Sequence, residues 1–218
     1  MFEDRKEAGE ALADRVAAAR PERPVVLALP RGGVPIAATV AERLGAPLDL
    51  LLVRKLGLPG HSELAAGALV EGDPPQAVYN PEVLTMAGLD ERDFEGQIAD
   101  KTQEIAERRA RWLSGRAPVD LSGRTAIVVD DGIATGATVR AALRGLRARA
   151  PAAVWLAVPV APPDTLERLA HEADEVICLD RPRDFQAVGL HYRRFPQVSG
   201  EEVADILARF DTPDRRPE

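Results

Sequence analysis

Two adjacent carboxylates, Asp130 and Asp131, end the apolar run Ile127-Val128-Val129, and the small-residue stretch Ala134-Thr135-Gly136-Ala137-Thr138 follows them. A loop of this composition at the start of a helix presents free backbone N–H groups. With the Thr135 and Thr138 hydroxyls they can cradle a phosphate. Gly136 lets the backbone come close to the anion. The carboxylates cannot hold the phosphate itself, because like charges repel. They suit the hydroxyls of a sugar, or a hydrated divalent metal beside it. A phosphate at one end and a diol at the other describe a ribose 5-phosphate. Capping accounts for one Asp or one Thr, but not for two carboxylates together with a T-G-x-T helix start.

Other groups with chemical potential follow other apolar runs. Arg31-Gly32-Gly33 comes after Val25 to Leu29. Its paired glycines permit bare N–H groups, and Arg31 adds a positive charge. Arg54-Lys55 comes after Leu48 to Val53. Lys55 stands out because the 28 basic residues divide into 25 Arg and 3 Lys. Residues 56–64, LGLPGHSEL, read as a loop in which Gly57, Pro59 and Gly60 permit a closing lid. His61 and Glu63 are the groups in it able to move a proton.

These groups need elements that bring them together. Residues 4–19 place Ala8, Leu12, Val16 and Ala19 on one helical face, closed by Pro21 and Pro24. Strands are expected over Val25–Leu29, Leu48–Val53, Thr125–Val129, Ala153–Val160 and Glu175–Leu179. Helices are expected over 35–44, ending at Gly45, and over 91–113, 137–149, 163–172 and 201–210. Residues 54–64 read as a loop, 65–80 as a small hairpin, and the tail 211–218 as frayed. Five short, non-alternating apolar runs joined by helices predict an α/β fold with a doubly wound, five-stranded parallel sheet covered on both faces. Ligands of such sheets sit beyond the carboxyl ends of the strands. That places the site just after Leu29, Val53, Val129, Val160 and Leu179. The insertion 65–113 is expected to form a hood or a dimer surface, and the chain a homodimer. One domain is expected over 1–218, with its core at about 20–180 and a C-terminal hood and helix at about 181–210.

Composition narrows the function. The 218 residues are 45% hydrophobic and 29% charged, which is globular composition. Aromatics are 4% and the net charge is -7, so stacking platforms for single-stranded nucleic acid are scarce and the chain lacks the basic footprint of a general nucleic-acid binder. The single cysteine, Cys178, excludes an internal disulfide and a Cys-based zinc site, and reads as a small core residue. No apolar stretch approaches the roughly 18 residues of a bilayer span. The N-terminal MFEDRKEAGE lacks the apolar stretch of a signal peptide. The expectation is a soluble, cytoplasmic protein.

The segment VVDDGIATGAT closely resembles the phosphoribosyl-pyrophosphate (PRPP) binding signature of type I phosphoribosyltransferases. The resemblance implies that Asp130 and Asp131 hold the ribose hydroxyls, and Mg2+ through water. It implies that Ala134, Thr135, Gly136, Ala137 and Thr138 bind the 5-phosphate. Arg31, Gly32 and Gly33 resemble the family's pyrophosphate loop, and Arg54 and Lys55 its pyrophosphate-facing charges. Residues 56–64 match its flexible loop in position. Phe185 or Tyr192 resembles the aromatic that stacks on the base in purine members. One position departs: Ala134 stands where hypoxanthine-guanine-type members carry an acid/base Asp, whereas adenine-type members carry Ala. Glu63 is then the candidate catalytic acid/base, with His61 as its competitor. The implied activity is phosphoribosyl transfer from PRPP to a nucleobase or related nitrogen nucleophile, with release of pyrophosphate. The alternative is a non-catalytic PRPP-binding regulator of nucleotide metabolism. Such regulators in the family bind RNA, and Arg108, Arg109 and Arg111 offer a local basic patch for that. A nucleotide-sugar binder lacks support, since no G-x-G-x-x-G follows the first strand.

Overall fold

The computed structural model describes residues 1–59, 61–114 and 116–210, and only the backbone of 61–64. In chain order, α1 (Arg5–Ala18), β1 (Pro24–Ala28), α2 (Gly33–Leu44) and β2 (Leu48–Leu50) come first. The antiparallel strands β3 (Val53–Leu58), β4 (His61–Val70) and β5 (Gln76–Tyr79) follow, then α3 (Pro81–Ala87) and α4 (Glu95–Leu113). The second half alternates: β6 (Thr125–Val129), α5 (Ala137–Leu146), β7 (Ala153–Val160), α6 (Pro163–Leu169), β8 (Glu175–Asp180) and α7 (Gly200–Ala208).

The main sheet is parallel, in the order β2-β1-β6-β7-β8. Its central strands β1 and β7 are apolar throughout, and β6 is so after Thr125, because both faces are covered. Val26, Ala28, Ile127, Val129 and Ala157 pack toward α1, α2 and α7. Their neighbours Val25, Leu27, Ala126, Val128, Leu156 and Val158 pack toward α5 and α6. This is the period-2 alternation of a strand read from two cores at once. The chain winds outward from β1 to β2 and then returns to lay β6 against the other side of β1. Ala28 stands opposite Val129, so the two strands end level. The crevice between them is the topological switch point, where open α/β sheets bind ligands.

At the N-terminus, the Asp4 carboxylate accepts from the N–H groups of Lys6 and Glu7 and caps α1. The helix buries Ala8, Leu12, Ala13 and Val16, while Ala19 is the exposed C-cap and not part of the buried face.

The structure corrects the reading of residues 48–64. The second parallel strand stops at Leu50. Leu51 and Leu52 are fully buried yet hand the chain to a second sheet. The Leu51 N–H still donates to Ala28, but the Leu52 N–H donates to the Glu71 carboxylate, and the Leu52 carbonyl accepts from Glu71. Where a loop is expected, β3 runs on to Leu58 and β4 starts at His61, and the two strands pair antiparallel with a register irregularity around Gly57. The Gln97 side chain in α4 brackets Gly57, accepting from its N–H and donating to its carbonyl. Glycine and proline make this stretch look like a loop, but its pairing partners lie outside it. The expected hairpin over 65–80 exists as the second half of β4 and all of β5, and the three strands form a hood that packs on α5.

The hood is tied to the edge of the main sheet by a buried ionic cluster. Arg109 donates through Nη2 to both oxygens of the fully buried Asp49 (3.0 Å each) and through Nη1 to Glu71 (2.7 Å). Arg116 approaches Asp49 at 3.7 Å. Arg109 is therefore consumed inside the fold. Of the expected patch of Arg108, Arg109 and Arg111, Arg109 is thus turned inward, while Arg108 and Arg111 are exposed and Arg108 lies over the Trp112 ring.

Candidate active site

The loops after β1 and β6 meet in the switch-point crevice. Leu29 continues the pairing by donating to the Val129 carbonyl (2.9 Å). The peptide between Pro30 and Arg31 is cis. Gly32 and Gly33 then run so close to the β6 end that side chains have no room. A Cβ on Gly32 would stand 2.0 Å from Oδ2 of Asp131, and one on Gly33 would stand 2.7 Å from the Val129 carbonyl oxygen. The Arg31 guanidinium has no ion-pair or hydrogen-bond partner among the described residues, so it is free for an anion. Asp130 is half-buried. One of its oxygens accepts from the Asp131 N–H, and the other has no donor among the described residues. Burial first, and then the neighbouring Asp131 carboxylate, push Asp130 well above the usual carboxylate range. Burial also raises Asp131, against the pull of Arg5.

Arg5, from the first turn of α1, donates to Asp131 Oδ2 through Nε (2.9 Å) and Nη2 (2.7 Å). The Tyr192 hydroxyl donates to the Asp131 backbone carbonyl (2.6 Å).

After the carboxylates the chain turns through Gly136, whose φ of 76° lies in the left-handed region that favours glycine. α5 starts there with no side-chain cap, so its first N–H groups point outward unpaired by a side chain. Ala134, Thr135, Ala137 and Thr138 are exposed. The loop is held from behind: buried Thr165 of α6 donates to the Ala134 carbonyl (2.9 Å), and Arg168 donates to the Thr165 hydroxyl (3.0 Å). Lys55 joins Thr138, Asn80 and Arg140 around a cavity of about 90 Å³ between the hood and α5. Arg54, one residue earlier on β3, points the other way. It pairs with Glu104 of α4 (3.4 Å) and donates to its own Val53 neighbour. Adjacent residues of a strand face opposite sides, so the Arg54-Lys55 pair is divided.

Residues 3–193 match the family described as the phosphoribosyl transferase domain. The chain belongs to that family. Two Mycobacterium tuberculosis proteins, from strains CDC 1551 / Oshkosh and ATCC 25618 / H37Rv, are provisionally named phosphoribosyl transferases. Each is 46% identical over 209 residues, 96% of this chain and 47% of the relative. The chain thus spans about half the length of the curated relatives it matches. The crystal structure of TT1426 from Thermus thermophilus is 42% identical with a TM-score of 0.83, covering 96% of this chain and 98% of that one. AQ2163 of Aquifex aeolicus, at 16% identity and a TM-score of 0.51 over 93% of this chain and 84% of its own, shares the fold.

Within this phosphoribosyl transferase domain, several expected site residues sit elsewhere. Tyr192 is buried between the rings of Phe2 and Phe195, so it has no face to offer a base, and it acts instead on Asp131. Phe185 is half-buried, with one face covered by the parallel His191 ring (5.2 Å, 12°). The side chains of Glu63 and His61 lie outside the described residues. Sequence reasoning missed Arg5 and Thr165. Neither belongs to a motif, and only the folding of α1 and α6 against the β6 loop brings them there. Among the described residues no three His, Cys, Asp or Glu side chains gather as a metal cluster, and no helix is long and apolar enough to cross a membrane.

Proposed function

We propose that this domain transfers the 5-phosphoribosyl group of PRPP to a nitrogen of a base, breaking the bond from the anomeric carbon to pyrophosphate and forming the carbon–nitrogen bond. The observation that supports this reading is the close approach of Gly32 to Asp131, which brings the loop after β1 and the two carboxylates after β6 into one crevice. The amides and hydroxyls of Ala134 to Thr138 hold the 5-phosphate. Asp130 takes the ribose diol. Arg31 and the Gly32-Gly33 backbone receive the departing pyrophosphate, and Lys55 reaches in from the hood. Glu63 supplies the proton transfer that Ala134 cannot.

The donor set fits magnesium. Mg2+ keeps most of its waters and needs one or two carboxylates beside substrate oxygens, and Asp130 has an oxygen to spare. Asp130, with Asp131 behind it, would hold the hydrated ion, which neutralises charge on the pyrophosphate.

The test is calorimetry of PRPP with magnesium, followed by pyrophosphate release with a panel of nitrogen bases. Release with one base supports the transferase. Tight PRPP binding with no release from any base moves the reading to a PRPP-sensing regulator. No PRPP binding overturns both.

A further inference from the structure

We infer that the cavity at the root of the hood is a second ligand site, which takes a small organic monoanion, one carboxylate on an apolar body, and that its occupant braces the hood. The cavity has a volume of about 770 Å³. Four parts of the chain wall it: the turn after β4, the middle of α4, the segment 118–122 before β6, and residues 148–150 after α5. It therefore lies toward the amino ends of β6 and β7, whereas the crevice lies at the carboxyl ends of β1 and β6. The five residues of β6 span roughly 16 Å, and the two places share no residue.

Charge in the cavity is uneven. Arg109 is neutralised by Asp49 and Glu71. Arg149 is half-buried and has no such pair. Its Nη2 donates to the Val119 carbonyl (2.7 Å), but no carboxylate among the described residues lies within ion-pair distance. Burial, the largest influence, lowers Arg149 below the ordinary arginine pKa. A guanidinium with donors to spare is a receptor for a carboxylate, which it can meet through two parallel N–H groups. Asp73 and Asp120 are exposed in the same wall. Beside one unpaired cation, their charges oppose a doubly charged phosphate and favour a single carboxylate. Ile105, Leu121, Pro75 and Pro118 supply apolar wall. A volume of this size with few polar groups is the usual form of a small-molecule pocket.

The occupant would sit where the hood is anchored. Glu71 belongs both to the cavity wall and to the ionic cluster that ties the hood to the main sheet. Three residues before it on β4, Ala68 pairs with Lys55 of β3. Between them Val70 lies so close to Gly145 of α5 that a Cβ on the glycine would stand 2.6 Å from the Val70 Cβ. A molecule wedged among the turn after β4, α4 and the end of α5 braces these contacts. The hood then keeps the pose in which Lys55 stands beside Thr138. The consequence for the crevice rests on its reading as a PRPP site; the binding and the bracing do not.

The probes are 2-naphthoate, its neutral analogue 2-naphthamide, and 2-naphthyl phosphate, titrated into the whole chain by NMR. Naphthoate should bind with a Kd of about 1 mM or tighter, and the amide and the phosphate about ten-fold more weakly. Arg149→Met should weaken naphthoate by about ten-fold, and Arg149→Lys should restore only part of that. Ala106→Trp fills the cavity from an exposed helix position and should abolish binding, so the test stands even where Arg149→Met fails to fold. Saturating naphthoate should slow hydrogen exchange of the β3 to β5 amides several-fold. It should also tighten PRPP with magnesium by about five-fold, and saturating PRPP should tighten naphthoate by the same factor. No naphthoate binding, or equal binding of acid and amide, overturns the inference. So does loss of naphthoate in Arg31→Ala with none in Arg149→Met, which would put the anion in the crevice. Tighter binding of the phosphate overturns the single-charge assignment, and unchanged hood exchange overturns the bracing. Slower hood exchange without a change in PRPP affinity overturns the link to the crevice. A wild-type chain that binds no PRPP sinks the reading of the crevice, while naphthoate binding and hood exchange still decide the inference.

Discussion

Gly32 and Asp131 share a contact that leaves no room for a β-carbon: one placed on Gly32 would sit 2.0 Å from Asp131 Oδ2. Asp131 cannot simply swing aside, because Arg5 holds that same oxygen. The loop after β1 and the loop after β6 are thereby locked into one body. A rigid crevice of this kind suits a reaction whose two charged fragments, sugar phosphate and pyrophosphate, must be held apart as the bond between them breaks.

Gly32→Ala should therefore cost more than an ordinary glycine substitution. The new methyl must push Asp131 off Arg5 or lift the loop, an overpacking cost of about 1–3 kcal/mol. Denaturant melts should show that loss, and calorimetry should show weakened PRPP binding. Wild-type affinity and stability in this variant would mean that the two loops move independently.

Thr165 supports the proposed phosphate loop from behind, donating to the Ala134 carbonyl. Thr165→Val keeps the shape and removes the donor, at about 1 kcal/mol of stability. Affinity for ribose 5-phosphate should fall while affinity for pyrophosphate holds, and Thr165→Ser should restore it. Equal weakening of both ligands would place Thr165 outside the phosphate subsite.

Lys55 and Arg54 should separate cleanly. Lys55→Ala removes a cation beside Thr138 and should weaken inhibition by pyrophosphate. Arg54→Ala removes a group turned toward Glu104 and should lower the melting temperature with pyrophosphate inhibition kept. The reverse pattern would show that β3 presents its other face to the crevice.

Acid stability offers a check away from the site. The Arg147 guanidinium holds the Asp174 carboxyl below its usual range, assisted by the Val154 N–H. A depressed folded pKa contributes stability above the unfolded pKa, and that contribution is lost as pH falls through the folded value. Wild type should thus lose stability progressively below about pH 4. Asp174→Asn should flatten part of that slope in thermal melts, while matching wild type more closely at the acid end than at neutrality. An unchanged slope would leave the pair without effect on folding.

Much of this architecture is legible in the chain itself, because it depends on neighbours. The apolar runs of β1, β6 and β7 declare buried strands. The stretch from Asp130 to Thr138 is contiguous, so a single βα turn delivers its carboxylates, amides and hydroxyls to one place without help from afar. Side-chain direction and long-range pairing are not legible there. Whether Arg54 or Lys55 faces the start of α5 depends on how the hood strand is rolled. Gly57 reads as loop in the sequence because Gln97, which fixes it, belongs to another element. Arg109 reads as surface because Asp49 and Glu71 are remote along the chain. Arg5 reaches Asp131 across 126 residues. Only tertiary packing settles such contacts, since a buried charge must find a partner wherever the fold supplies one, and spacing along the chain does not record where that is.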